Sequence, residues 1–177
     1  MTKNLSIIIA AALVTQAFAQ TPAPAPAANA EALYRQGQAA EKSGDVTAAQ
    51  QAYAAALKAN PNHANARYSI GQLKINSASI SAKGREAKFG AVMIPEFQLD
   101  GASLQESLDA LRVIVEKQSK DQVTPNFVIQ DPKNQLAAVK ISMNLKAMPS
   151  KAVMQYLMEQ SGAKARYDEH AIVISPK

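Results

Sequence analysis

The chain has 177 residues, 47% of them hydrophobic and 19% charged, which suits one medium domain or two small ones and is too apolar for a disordered protein. It contains no cysteine, which excludes disulfide scaffolds, thiolate metal sites and cysteine nucleophiles, and only His63 and His170 remain as imidazoles. Its 19 basic and 14 acidic side chains leave a formal charge of +5, an excess that fits solubility or a weakly anionic partner and is not by itself a sign of nucleic acid.

Residues 1–19 predict a cleaved export signal. Lys3 precedes an apolar run from Leu5 to Val14 broken only by Ser6, and Ala17-Phe18-Ala19 sets small residues at a cleavage site, with Gln20 as the first mature residue. The run is about half of the ~20 apolar residues that a spanning helix needs, so a membrane anchor is the weaker reading. No cysteine follows the cut, which removes a lipid anchor of the lipoprotein kind. The expected location is the bacterial periplasm or the exterior. Residues 20–29 come next, and their alternating Pro22, Pro24 and Pro26 with alanines read as a semi-rigid extended spacer or a disordered mature terminus.

Residues 30–76 repeat at a spacing of 34. Ala30, Ala32, Tyr34, Gly37 and Gln38 recur as Ala64, Ala66, Tyr68, Gly71 and Gln72, and that period belongs to helix–turn–helix arrays. Glu31–Lys42 reads as a helix that Gly44 ends, Asp45 caps a second helix carrying Ala49, Ala52, Tyr53, Ala56 and Leu57, and Asn60-Pro61-Asn62 stops it before a third over Ala64–Ile75. The stretch resembles a tetratricopeptide repeat, with Gly37, Ala49 and Ala56 as its small residues, Tyr53 as its aromatic and Pro61 as its closing proline. It departs from that pattern at Gln36 and Ala40, where larger side chains are expected, and the second repeat stops after one helix. The resemblance implies a protein-binding inner groove lined by Tyr34, Gln38, Glu41, Tyr68 and Gln72, while the bland alternative makes both tyrosines core.

Residues 77–90 are read as a linker, because periodicity is lost among Ser77, Ser79, Ser81, Gly84 and Gly90. Lys83, Arg85 and Lys88 make it locally basic, which suits a solvated joint better than an anion site.

Residues 91–177 give the order strand, helix, strand, strand, helix, strand, strand. The strands are Val92–Leu99, Phe127–Ile129, the alternating Val139–Leu145, Lys164–Tyr167 and Ala171–Ile174. Ser103 and Glu106 form a capping box ahead of a Leu104, Leu108, Leu111, Val115 stripe, Pro149-Ser150 opens the second helix and Gly162 closes it. Lys140 and Lys146 read as the wet side of a sheet, and Met143, Met148, Met154 and Met158 as core filling. The fold class is therefore α+β: a helical-repeat unit (helix–turn–helix plus a capping helix), then a βαββαββ domain.

That order, with Ser103-Leu104-Gln105-Glu106-Ser107-Leu108-Asp109-Ala110-Leu111 and Ser161-Gly162-Ala163 before the final hairpin, resembles the short N-terminal domain of secretins and TonB-dependent receptors over about residues 94–175. The resemblance implies a periplasmic docking module serving secretin-type secretion or type IV pilus assembly. No barrel segment follows, so an accessory is expected rather than a pore.

Chemistry is sparse. Neither a Gly-rich phosphate loop nor a Gly-x-Ser-x-Gly or His-x-x-x-His pattern occurs. Asp168-Glu169-His170 is the one grouping that suggests a hydrolase, and it falls in a turn, where polar residues are expected. Glu96 and Asp100 lack any evident acid–base partner. The expectation is a non-enzymatic adaptor with no catalytic, cofactor or metal site. Its partners are proteins of the envelope or a second copy of the chain, and not nucleic acid, because the aromatics do not interleave with the basic residues. The alternative is a cell-wall or anionic-polymer binder using the basic linker and strand face.

Overall fold

The computed structural model describes residues 26–177, so the expected leader and the first residues of the spacer lie outside the described residues. Pro26–Asn29, expected to be spacer, instead form the first turn of α1 (Pro26–Lys42). A proline costs little in a first turn, where its missing N–H has no partner to lose, and the alanines after it favour helix.

The turn from α1 to α2 (Val46–Ala59) is built by its sequence. Gly44 sits at φ +76°, a conformation open to glycine, and the Asp45 carboxylate accepts the Ala48 N–H at 2.9 Å. At the next turn Asn60 Oδ1 accepts the Asn62 N–H, and His63 caps the third helix by accepting the Ala66 N–H on Nδ1 at 3.2 Å. That leaves the proton on His63 Nε2, which lies 3.3 Å from Glu31 Oε2 and ties the start of α1 to the start of α3.

The third helix corrects the expected domain boundary. α3 runs unbroken from Ala64 to Gly90, so residues 77–90 are helix and not a linker. Nothing in that stretch forbids a helix: Pro61 and Pro95 both lie outside it, and serine is only mildly unfavourable within one. A sparse stripe also survives, with Leu73 buried and Ile70 and Ile80 packed beside it in the helical cluster, and Phe89 buried in the next core. Gly84, which reads as punctuation, is a contact. A Cβ on Gly84 would stand 2.4 Å from the Gly44 Cα, and one on Gly44 would stand 2.4 Å from the Gly84 Cα. The α1–α2 turn thus crosses α3 backbone to backbone.

Beyond α3 the chain forms β1 (Met93–Ala102), α4 (Leu104–Ser119), β2 (Phe127–Ile129), β3 (Ile141–Pro149), α5 (Ser150–Ser161), β4 (Ala163–Tyr167) and β5 (Ile172–Pro176), the expected βαββαββ order. β1 and β3 pair antiparallel in a two-stranded ribbon, from Met93 opposite Pro149 to Leu99 opposite Met143, with a bulge before Ala102 where Gly101 takes φ +62°. The second sheet has β5 at its centre, parallel to β2 and antiparallel to β4. α5 touches both sheets, and one core joins Phe97 and Ile141 of the ribbon to Leu108, Leu111, Val153, Leu157, Ile172 and Ile174. The capping box is present: Ser103 Oγ accepts the Glu106 N–H while the Ser103 N–H donates to Glu106 Oε2 at 2.8 Å, and this holds the Glu106 carboxyl below its usual range.

α3 enters that second core. Phe89 is 1% exposed and meets Phe127 edge-on at 6.0 Å and Tyr167 at 6.1 Å. The Ser150 hydroxyl donates to the Phe89 carbonyl, and Lys151 pairs with Glu86 at 2.7 Å. Arg85 donates to the Asp168 carbonyl at 3.1 Å and the Glu169 carbonyl at 2.6 Å. The basic stretch expected to be solvated therefore commits its arginine to the β4–β5 turn.

Candidate functional site: the inner face of the helical unit

Tyr53 of α2 organises this face. It is fully buried, and its ring occupies the space that Gly37 vacates on α1: a Cβ there would lie 2.4 Å from the ring carbons Cδ1 and Cε1. Its hydroxyl donates to Glu41 Oε2 at 2.8 Å. Burial first, and then this carboxylate acceptor, push the Tyr53 phenol well above its usual range, so it remains a donor. Glu41 is a positioned acceptor, and among the described residues no hydrogen bond reaches its second oxygen.

The five residues expected to line the groove divide into three groups. Gln38 and Glu41 line a cleft of about 450 Å³ between α1 and α3, shared with Tyr53, Ser69, Ile80 and Lys83. Tyr34 is half-buried, its ring 5.5 Å from Tyr53 and 5.0 Å from His63, and its hydroxyl takes a hydrogen bond from Gln38 Nε2 at 3.1 Å. Tyr68 and Gln72 lie on α3 outside that cleft, Tyr68 at 69% exposure and Gln72 half-buried, accepting from Asn76 Nδ2 at 3.3 Å. The question of core or groove therefore has a different answer for each tyrosine.

Ile80 and Lys83 were missed because they fall in the stretch read as linker. The seven-residue step from Leu73 to Ile80 was the available signal, since residues seven apart share a helix face. The cleft lining gathers one acid, Glu41, two bases, Lys42 and Lys83, the Gln38 amide and the hydroxyls of Tyr53 and Ser69. Such a mixed, shallow polar lining suits an extended peptide or a polar side chain. Asp168-Glu169-His170 stands in the β4–β5 turn as expected, closed by the Asp168 N–H to the Ala171 carbonyl at 2.8 Å, with Arg166 on the Asp168 carboxylate at 2.9 Å.

Residues 30–63 match the family model described as tetratricopeptide repeat, a match that takes in α2 and all of α1 but its first turn and ends before α3. A repeat of this class suggests a role in protein–protein interaction. No curated protein and no solved structure matches the chain.

Proposed function

We propose that the protein is a non-catalytic adaptor, exported to the cell envelope, that binds protein partners through the inner face of its repeat. The observation carrying this reading is the tetratricopeptide match over residues 30–63 together with the Gln38–Glu41 cleft that the matched helix pair forms with α3. Export is supported by the Lys3, apolar run and Ala17-Phe18-Ala19 pattern. Service to a secretin-type or pilus-type complex is supported only by the strand order and leucine pattern of residues 94–175. Among the described residues, no helix is long and apolar enough to cross a membrane. The anionic-polymer alternative rests on the basic stretch at Lys83–Lys88 and the lysine-bearing strand face, and Arg85 of that stretch is already bonded to two carbonyls.

The test places a photo-crosslinking side chain at Gln38 and, as a control, at Gln160 on the exposed side of α5, in the protein's own cells. The expected result is an envelope protein joined from Gln38 and absent from Gln160. Identical products at both positions, or none at Gln38, would remove the adaptor reading. Intact mass should begin at Gln20, and retention of Lys3 would show an anchor instead of a leader.

A further inference from the structure

The 34-residue repeat places Gly71 of α3 where α1 has Gly37, with Tyr68 and Ile75 at the positions of Tyr34 and Glu41. In the first repeat this face is a filled socket: Gly37 is the notch, Tyr34 the wall, Glu41 the acceptor, and the Tyr53 ring the occupant. In α3 the same socket is open. Among the described residues nothing lies within 4 Å of a Cβ at Gly71, and Tyr68 and Ile75 on its rim are 69% and 77% exposed. The reason is topological: α3 continues as one helix to Gly90 and leads into β1, so among the described residues no helix folds back to play the part of α2.

The rim also differs in charge. At the positions of Leu33 and Ala40, both half-buried and Ala40 packed in the cluster of Ala49 and Tyr53, α3 carries Arg67 and Lys74, both exposed. Arg67 gives one hydrogen bond to the Pro61 carbonyl at 2.6 Å, and among the described residues neither cation pairs with a carboxylate. From Ala64 to Arg85, α3 contains no acidic residue.

We infer that this face of α3 docks one amphipathic helix of a partner protein, with a large apolar side chain seated on Gly71 and carboxylates seven residues apart facing Arg67 and Lys74. Ile75 replaces the acceptor Glu41, so the seated side chain is one without a hydroxyl: Phe, Leu or Met. A helix whose rim residues are alanine, as in α2, would leave both cations against apolar surface. A second copy of α3 would bring Arg67 and Lys74 against the same two charges, which disfavours self-pairing. The inference rests on the protein-binding reading above but uses a face other than the Gln38–Glu41 cleft.

The probe is a fluorescein-labelled peptide with the sequence of α2 (Val46–Ala59) changed at Tyr53→Phe, Ala49→Glu and Ala56→Glu. Its control carries Ala49→Lys and Ala56→Lys instead. Anisotropy titration with the full mature chain should show saturable binding of the acidic peptide alone. Arg67→Glu with Lys74→Glu should weaken binding by about tenfold or more, and Gly71→Leu should abolish it by filling the notch. Because Gly71 is exposed, Gly71→Leu should raise the melting temperature, which separates lost docking from lost folding. Equal binding of both peptides, no binding of the acidic one, or binding unchanged by Gly71→Leu would overturn the inference. So would a dimer in sedimentation that Gly71→Leu converts to monomer, since the occupant would then be a second copy. Crosslinking from Gln38 that persists when the peptide fails would sink the socket and spare the adaptor.

Discussion

From Ala64 to Ser79, α3 rests one side on the helical unit through Ala66 and Leu73 and leaves Tyr68, Gly71 and Ile75 to solvent. From Ile80 to Gly90 the same helix is held by the Gly44 turn, by Arg85 on the β4–β5 turn, by the Lys151–Glu86 pair and by Phe89 in the second core. Both halves are rich in small residues and each carries a mid-helix glycine. Gly71 faces open space and Gly84 faces another backbone, so the role of a glycine here is set by what stands opposite and not by helix propensity.

The sharpest way to break this comparison is Phe89→Ala. It should cost about 3–5 kcal/mol in urea unfolding, because it opens a cavity among Phe127, Tyr167 and the α5 start. A loss under about 1 kcal/mol would mean that this end of α3 is not part of the second core. Gly84→Ala comes next, with an expected loss of about 1–3 kcal/mol despite the better helix former, since the new Cβ meets the Gly44 Cα and the Ser43 carbonyl, neither of which can rotate away. Gly71→Ala should do the opposite and stabilise by about 0.5–1 kcal/mol. Equal signs for the two glycine variants would end the distinction between the halves.

A smaller effect reports on the held end through pH. Burial, and after it Glu86, push the Tyr167 phenol up to about 12. The folded state therefore keeps a proton that the unfolded chain releases at about 10, so this stabilisation is complete below pH 10 and is lost as pH rises towards 12. Tyr167→Phe should flatten the alkaline decline in stability. The smallest change is none at all: trypsin should leave Lys83, Arg85 and Lys88 uncut while the chain is folded, and early cutting there would restore the linker.

Local chemistry was legible where neighbours in sequence decide it. The Ser103–Glu106 box, the Phe127–Ile129 strand, the left-handed Gly162 cap and the β4–β5 turn each depend on a few adjacent residues, and the α+β class followed from their order. The helix across 77–90 was not legible, because its apolar residues are few and its glycine acts across a 40-residue separation, against Gly44. The division of strands into a ribbon and a three-stranded sheet was equally hidden, since β2 is parallel to β5 only through long-range pairing. At the candidate site, Gln38 and Glu41 share their cleft with Ile80 and Lys83 of α3, which lie beyond the expected end of the third helix. Tyr34 and Tyr68 could not be told apart, because the difference between them is whether another helix arrives.

An unbroken α3 of 27 residues is also a ruler. At about 1.5 Å per residue it sets its two ends about 40 Å apart, with no joint between the repeat and the βαββαββ core. A flexible linker would let each unit search for its own contact and would tolerate partners of many shapes. A rigid rod accepts only a partner whose two footprints match its length and azimuth, and such a partner then binds the second footprint without a further loss of inter-domain freedom. Adding or deleting one residue in the exposed half of α3 would turn the helical unit by about 100° relative to the core, so the length of this helix fixes which surfaces of the two units face the same side.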